Sequence, residues 1–162
     1  MGGVRPGAPL VADALAKMVA SPRRGVPRAS VPVLREVPLF AGLSDRHLRR
    51  VAKLAELTRF RPNFAVVREG SPGSSFFVIL DGRATVIRAG VPVTILDPGD
   101  HFGEMALLDQ RPRSATVRTK TAVTALRLSA APFRKLLANE PTIALALLRT
   151  LSARVRELEQ SL

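Results

Sequence analysis

The chain has no cysteine, no tryptophan and no tyrosine, and only two histidines. Without cysteine there are no disulfides, thiolate nucleophiles or sulfur-bound metals. His47 and His101 lie too far apart in sequence to suggest a metal site. The missing tyrosine and tryptophan remove the usual platforms on which single-strand nucleic-acid binders stack bases. No uninterrupted apolar run approaches the length of a membrane span. Arg23-Arg24 is not followed by an apolar stretch suited to a signal sequence, and Pro6 stands where an acylation motif at Gly2 would need Ser or Thr. There is no phosphate-binding P-loop and no nucleophile beside a base. The expectation is a cytoplasmic binding protein that is not an enzyme.

What is present is a globular composition: 162 residues, 46% hydrophobic, enough for one domain with an ordinary core. The formal net charge is +12, mostly from arginine, which favours anionic partners. The arginines are scattered or in short pairs such as Arg49-Arg50, with no long basic run. Direct nucleic-acid binding is therefore the third reading rather than the first.

Residues 1–33 read as a basic arm rich in proline and glycine, with one amphipathic helix expected from Leu10 to Val19. The folded domain is expected over 34–162. Ser44 is a good N-cap for a helix from Asp45 to Leu57. Strand signals follow at short spacing: Thr58–Arg61, Ala65–Arg68, Phe76–Leu80, Ala84–Arg88, Val93–Leu96, Ala115–Arg118 and Val123–Leu128. Turns such as Asp81-Gly82, Ala89-Gly90 and Asp97-Pro-Gly-Asp100 separate them. Short strands with punctuated turns argue for an antiparallel sandwich or barrel over about 58–129. Two helices close the chain, one over Ala131–Asn139 and a longer one that Pro141 can start. On the longer helix Leu151, Val155, Leu158 and Leu162 follow the 4-3-4 rhythm of a helix–helix seam, which suggests a homodimer through residues 142–160.

The stretch from Phe102 to Val117, FGEMALLDQRPRSATV, interrupts the strand pattern with a short helical turn at Gly103–Leu108. Gly103 permits close approach of a ligand to the backbone. The next amides, of Glu104, Met105 and Ala106, are the unpaired donors of a helix start, where an anion is stabilised. Arg113 can close on the same anion with its planar fork. Glu104 is left free to accept hydrogen bonds from hydroxyls. A ligand carrying both a phosphate and a sugar hydroxyl would satisfy all of these groups.

This stretch resembles the phosphate-binding cassette of cyclic nucleotide-binding domains, the module shared by the bacterial catabolite activator family, protein kinase A regulatory subunits and cyclic nucleotide-gated channels. The resemblance spans residues 34–160 and includes Val37–Ser44, Glu69-Gly70, Asp81-Gly82 and Pro98–Glu104. It implies a mainly β fold with flanking helices: a jelly-roll-like barrel, a short cassette helix, an N-terminal helix and two C-terminal helices. It further implies a ligand site formed by Phe102, Gly103, Glu104, Met105, Ala106, Arg113, Ser114, Ala115 and Val86. Glu104 would meet the ribose 2′-hydroxyl, Arg113 and Ser114 the cyclic phosphate, and Val86 the apolar wall beside sugar and base. Serine at 114 leans toward cAMP, with cGMP as the alternative. Where the catabolite activator meets adenine with a Thr-Ser pair, this chain carries Leu158-Glu159.

No helix-turn-helix follows the long helix, so the expected output of ligand binding passes through self-association or a separate effector protein. The expectation is a cyclic nucleotide receptor or regulatory subunit without a metal or other cofactor. Its rival is a scaffold or assembly protein that uses the same fold with ligand binding secondary or lost.

Overall fold

The strand Ser75–Asp81 (β3) is apolar on both faces, and the structure uses both. In the computed structural model, which describes residues 31–162, Phe76, Val78 and Leu80 point toward the helices while Phe77 and Ile79 point into a barrel. A strand covered on each side loses the usual alternation and reads as one apolar run. Val123–Ser129 (β8) is divided the same way: Leu126 and Leu128 face the helices, and Val123 and Ala125 face inward.

The remaining strands are Glu56–Phe60 (β1), Ala65–Val67 (β2), Ala84–Arg88 (β4), Val91–Leu96 (β5), His101–Phe102 (β6) and Thr116–Thr119 (β7). They form two four-stranded antiparallel sheets, ordered β1-β8-β3-β6 and β2-β7-β4-β5. Facing each other, the sheets make the jelly-roll-like barrel that the sequence implied. Strand boundaries moved by one or two residues, and β6 was not anticipated.

The helices pack on the outer face of the first sheet. Val31–Arg35 (α1) and Asp45–Leu54 (α2) come before the barrel. Helix α2 starts at Ser44, whose hydroxyl accepts from the His47 amide, and it buries Leu48, Val51 and Ala52. It ends at Leu54 instead of Leu57, because Glu56 and Leu57 pair with Arg127 and Leu126 in β1–β8. Ala130–Asn139 (α4) docks Phe133 on Phe76 at a 4.7 Å ring separation. Pro141–Gln160 (α5) follows at once, anchored by buried Ile143 and Leu147. Buried Glu140, at the junction, lies 3.4 Å from His47 Nδ1 and 3.5 Å from Arg50 Nη1 and so ties α2 to the start of α5. The helix expected at 10–19 and most of the expected arm lie outside the described residues. Among the described residues no helix is long and apolar enough to cross a membrane.

Candidate functional site

Gly103 ends β6 in the left-handed region, at φ 94°, and the six-residue helix Glu104–Asp109 (α3) starts on the next residue. A side chain at 103 would have no room. Its Cβ would lie 2.8 Å from the Ser75 carbonyl oxygen and 2.7 Å from Arg113 Nη1. Gln110, also left-handed at φ 58°, closes the helix, and the Arg111 amide donates to Asp109 Oδ1 at 3.0 Å. The chain then runs back along the 70–75 loop: the Arg113 amide donates to the Ser71 carbonyl at 2.8 Å, and the Gly70 amide to the Arg113 carbonyl at 2.9 Å.

These constraints place Arg113 beside the start of α3. Its Nη1 donates to the Gly103 carbonyl at 2.9 Å and its Nη2 to the Ser75 carbonyl at 2.7 Å. Both acceptors are neutral, so the guanidinium keeps its full charge with no carboxylate bonded to it. Asp109 is not its partner. Burial draws the Arg113 pKa down and the nearby Glu104 charge draws it up; an arginine remains protonated throughout.

Glu104 departs from expectation. Instead of standing free to accept a hydroxyl, it is 1% exposed and held from two sides. Arg154 on α5 donates from Nη1 to Oε1 at 2.6 Å, and His101 Nδ1 lies 3.4 Å from Oε2. Arg154 also donates to the His101 carbonyl at 3.3 Å. Burial pushes the Glu104 pKa up, but the His101 hydrogen bond and the charges of His101 and Arg154 outweigh it and hold the carboxyl below its ordinary value. An ionised carboxylate has about four acceptor positions, so acceptor capacity remains after both contacts.

The other expected residues divide into two groups. Met105 and Ala106 form the first turn of α3, and Ser114 and Ala115 follow Arg113 directly, with the Ser114 hydroxyl 3.9 Å from Met105 Sδ. Val86, half-buried on β4, sits opposite Val117 on one side and Thr94 of the exposed edge strand β5 on the other. Phe102, by contrast, turns its ring into the barrel, stacked on Phe77 at 5.0 Å and 6% exposed. Its side chain supports the cassette from beneath, and only its backbone is on the cassette side.

Sequence reasoning missed Arg154 and His101. One signal for Arg154 was present: it falls in the row Leu147, Leu151, Arg154, Leu158, which follows one helix face, and a charged residue within an apolar row needs a partner.

The family model described as the cyclic nucleotide-binding domain matches residues 57–140. A cAMP-dependent protein kinase regulatory subunit of Emericella nidulans is 38% identical over 106 residues, which cover 64% of this chain and 26% of that protein. The chain thus spans about a quarter of the length of the curated relatives it matches. Among solved structures, the regulatory subunit of a cAMP-independent protein kinase A from Trypanosoma brucei superposes with a TM-score of 0.73 at 26% identity, over 82% of this chain and 48% of that one. A triple variant of the trypanosomal protein has been solved with cAMP in its A site. The catabolite activator protein of Thermus thermophilus gives a TM-score of 0.71 at 26% identity, over 76% of this chain and 61% of that one. With the barrel, the cassette and more than half of the chain matched, this protein belongs to the cyclic nucleotide-binding domain family.

Proposed function

We propose that this chain is a cyclic nucleotide receptor, selective for cAMP, that signals by moving helix α5. The observation that carries the reading is Arg113: a nearly buried guanidinium, bonded only to neutral carbonyls, beside the free amides of Glu104, Met105 and Ala106. A cyclic phosphate supplies the missing anion, and Ser114 adds a hydroxyl to it. The ribose 2′-hydroxyl would donate to Glu104, which keeps acceptor capacity beyond its Arg154 and His101 contacts.

The trypanosomal comparison supports cAMP competence. In the cAMP-bound variant of that protein a glutamate, a threonine and a valine, spaced seven and then one apart, are changed to alanine, arginine and alanine. This chain carries Ala106, Arg113 and Ser114 at the same spacing, so it has the small residue and the arginine that the variant gained. The relatives named as cAMP-dependent protein kinase regulatory subunits support a regulatory role over a separate effector.

Arg154 gives the output. Because it reaches from α5 to Glu104, a ligand that engages Glu104 changes the partner of α5 and shifts its population of positions. The exposed row Leu148, Val155 and Leu158 on α5 is the surface so presented, and a second copy of the chain is the partner its spacing fits. Calorimetric titration with cAMP and cGMP tests the reading. Binding of cAMP tighter than cGMP supports it; no heat from either at millimolar ligand would reject it in favour of a scaffold.

A further inference from the structure

The barrel has a cleft on the β1–β2 side of Arg113. It measures about 380 Å³ and is lined by Thr58 and Phe60 of β1, residues 65–68 in and after β2, the 71–75 loop, Phe77, Arg113 and Arg127. No acidic side chain lines it, while three arginines do: Arg68, Arg113 and Arg127. Arg127 points inward from β8 and donates from Nε to the Ser75 hydroxyl at 2.9 Å. Its terminal nitrogens have no acceptor among the described residues. Glu56 sits opposite Arg127 in the β1–β8 register, yet the two form no ion pair.

Three like charges in one concave, partly apolar space concentrate positive potential there and repel one another, a cost that a bound anion offsets. The floor of the cleft is Phe60 and Phe77, whose rings lie 6.0 Å apart edge to face, so an apolar body fits behind the charged rim. We propose that this cleft is a second ligand site, which takes a small organic anion: a phosphate or carboxylate carried on an aromatic or short aliphatic group. Ser75 ties the site to the cassette, because its carbonyl holds Arg113 while its hydroxyl holds Arg127. An anion drawn to Arg127 therefore acts on the residue that orients Arg113.

The test uses phenyl phosphate and inorganic phosphate, followed by two-dimensional NMR of the whole chain. The expected result is saturable shifts of the Ser75 amide and the Arg127 Nε–H, with phenyl phosphate binding tighter than inorganic phosphate. Arg127→Gln should weaken phenyl phosphate binding about tenfold or more, the loss typical of one charged hydrogen-bonding partner. Exposed Arg68→Gln, which leaves the fold undisturbed, should weaken it by a factor of about three. Absence of shifts at these groups overturns the proposal. So does phenyl phosphate that is displaced by cAMP and bound equally well by Arg127→Gln, since that anion sits in the cassette. The direct titrations and the Arg127→Gln comparison contain no cyclic nucleotide, so their outcome is independent of whether the cassette binds one.

Discussion

Arg154 and Glu104, fifty residues apart in the chain, meet at 2.6 Å across the gap between helix α5 and the cassette. The pair joins the element proposed to meet a ligand to the helix proposed to carry the output. It also places a positive charge beside a carboxylate that a cyclic phosphate, itself negative, would have to approach under the proposed function.

Arg154→Ala should therefore cost both stability and affinity. Breaking a fully buried pair costs about 3–5 kcal/mol. The Arg154 side chain is 39% exposed, so screening reduces the expected loss here to about 1 kcal/mol. Binding of cAMP should weaken roughly tenfold, because the buried Glu104 charge then faces the phosphate uncompensated. Urea unfolding and calorimetry read the two effects separately. A double variant, Arg154→Met with Glu104→Gln, should recover the stability and not the affinity.

The depressed Glu104 pKa has a consequence for acid stability. A carboxyl whose folded pKa lies below its unfolded value of about 4.3 contributes stability that is fully present above that value. The contribution fades as pH falls through the lower, folded pKa. Wild-type stability measured from pH ~6 to ~3 should drop more steeply than that of Glu104→Gln, by up to one proton's worth of slope. Parallel curves would show that Glu104 titrates alike in both states.

Gly103→Ala tests the geometry of the cassette without touching a charge. The methyl group would enter the space of the Ser75 carbonyl and Arg113 Nη1, at a φ of 94° that alanine disfavours. Strain of about 1–3 kcal/mol is expected, and Arg113 should lose its two carbonyl partners. Circular dichroism melts should show the destabilisation, and cAMP affinity should fall by more than the roughly tenfold expected for Arg154→Ala.

On α5, neighbouring leucines differ in what they meet: Leu147 is 3% exposed, in the core, and Leu148 is 62% exposed. Leu147→Ala should cost about 2–4 kcal/mol as a core truncation, and Leu148→Ala under about 0.5 kcal/mol. Leu158→Asp should abolish the proposed dimer in sedimentation equilibrium while leaving the monomer's melting temperature within a few degrees. A wild-type chain that sediments as a monomer at all concentrations would remove the homodimer from the account.

The barrel strands were legible because turns and β-rich runs alternate in the sequence, and the cassette because its glycine, acid and arginine lie close together. What sequence did not convey was tertiary. The two-residue strand His101–Phe102 is held by its pairing with Val78 and Phe77, and it has no period long enough to read. Nor does the sequence show that strand alternation turns the Phe102 ring to the barrel interior, against Phe77. Glu104 looks free in the sequence because its partner, Arg154, comes from a helix whose placement depends on Phe133 and Ile143 filling the outer core. The link between Arg113 and Arg127 likewise runs through Ser75, a residue with no signal of its own.

Arg113 is the residue proposed to capture the phosphate of a cyclic nucleotide. Calorimetric titration of cAMP into the wild type and into Arg113→Ala tests that role most directly. Saturable binding to the wild type is expected, with a loss of at least about 1.5–3 kcal/mol in the variant, the worth of a charge-assisted hydrogen bond. An Arg113→Ala chain that binds cAMP with wild-type affinity would contradict that role.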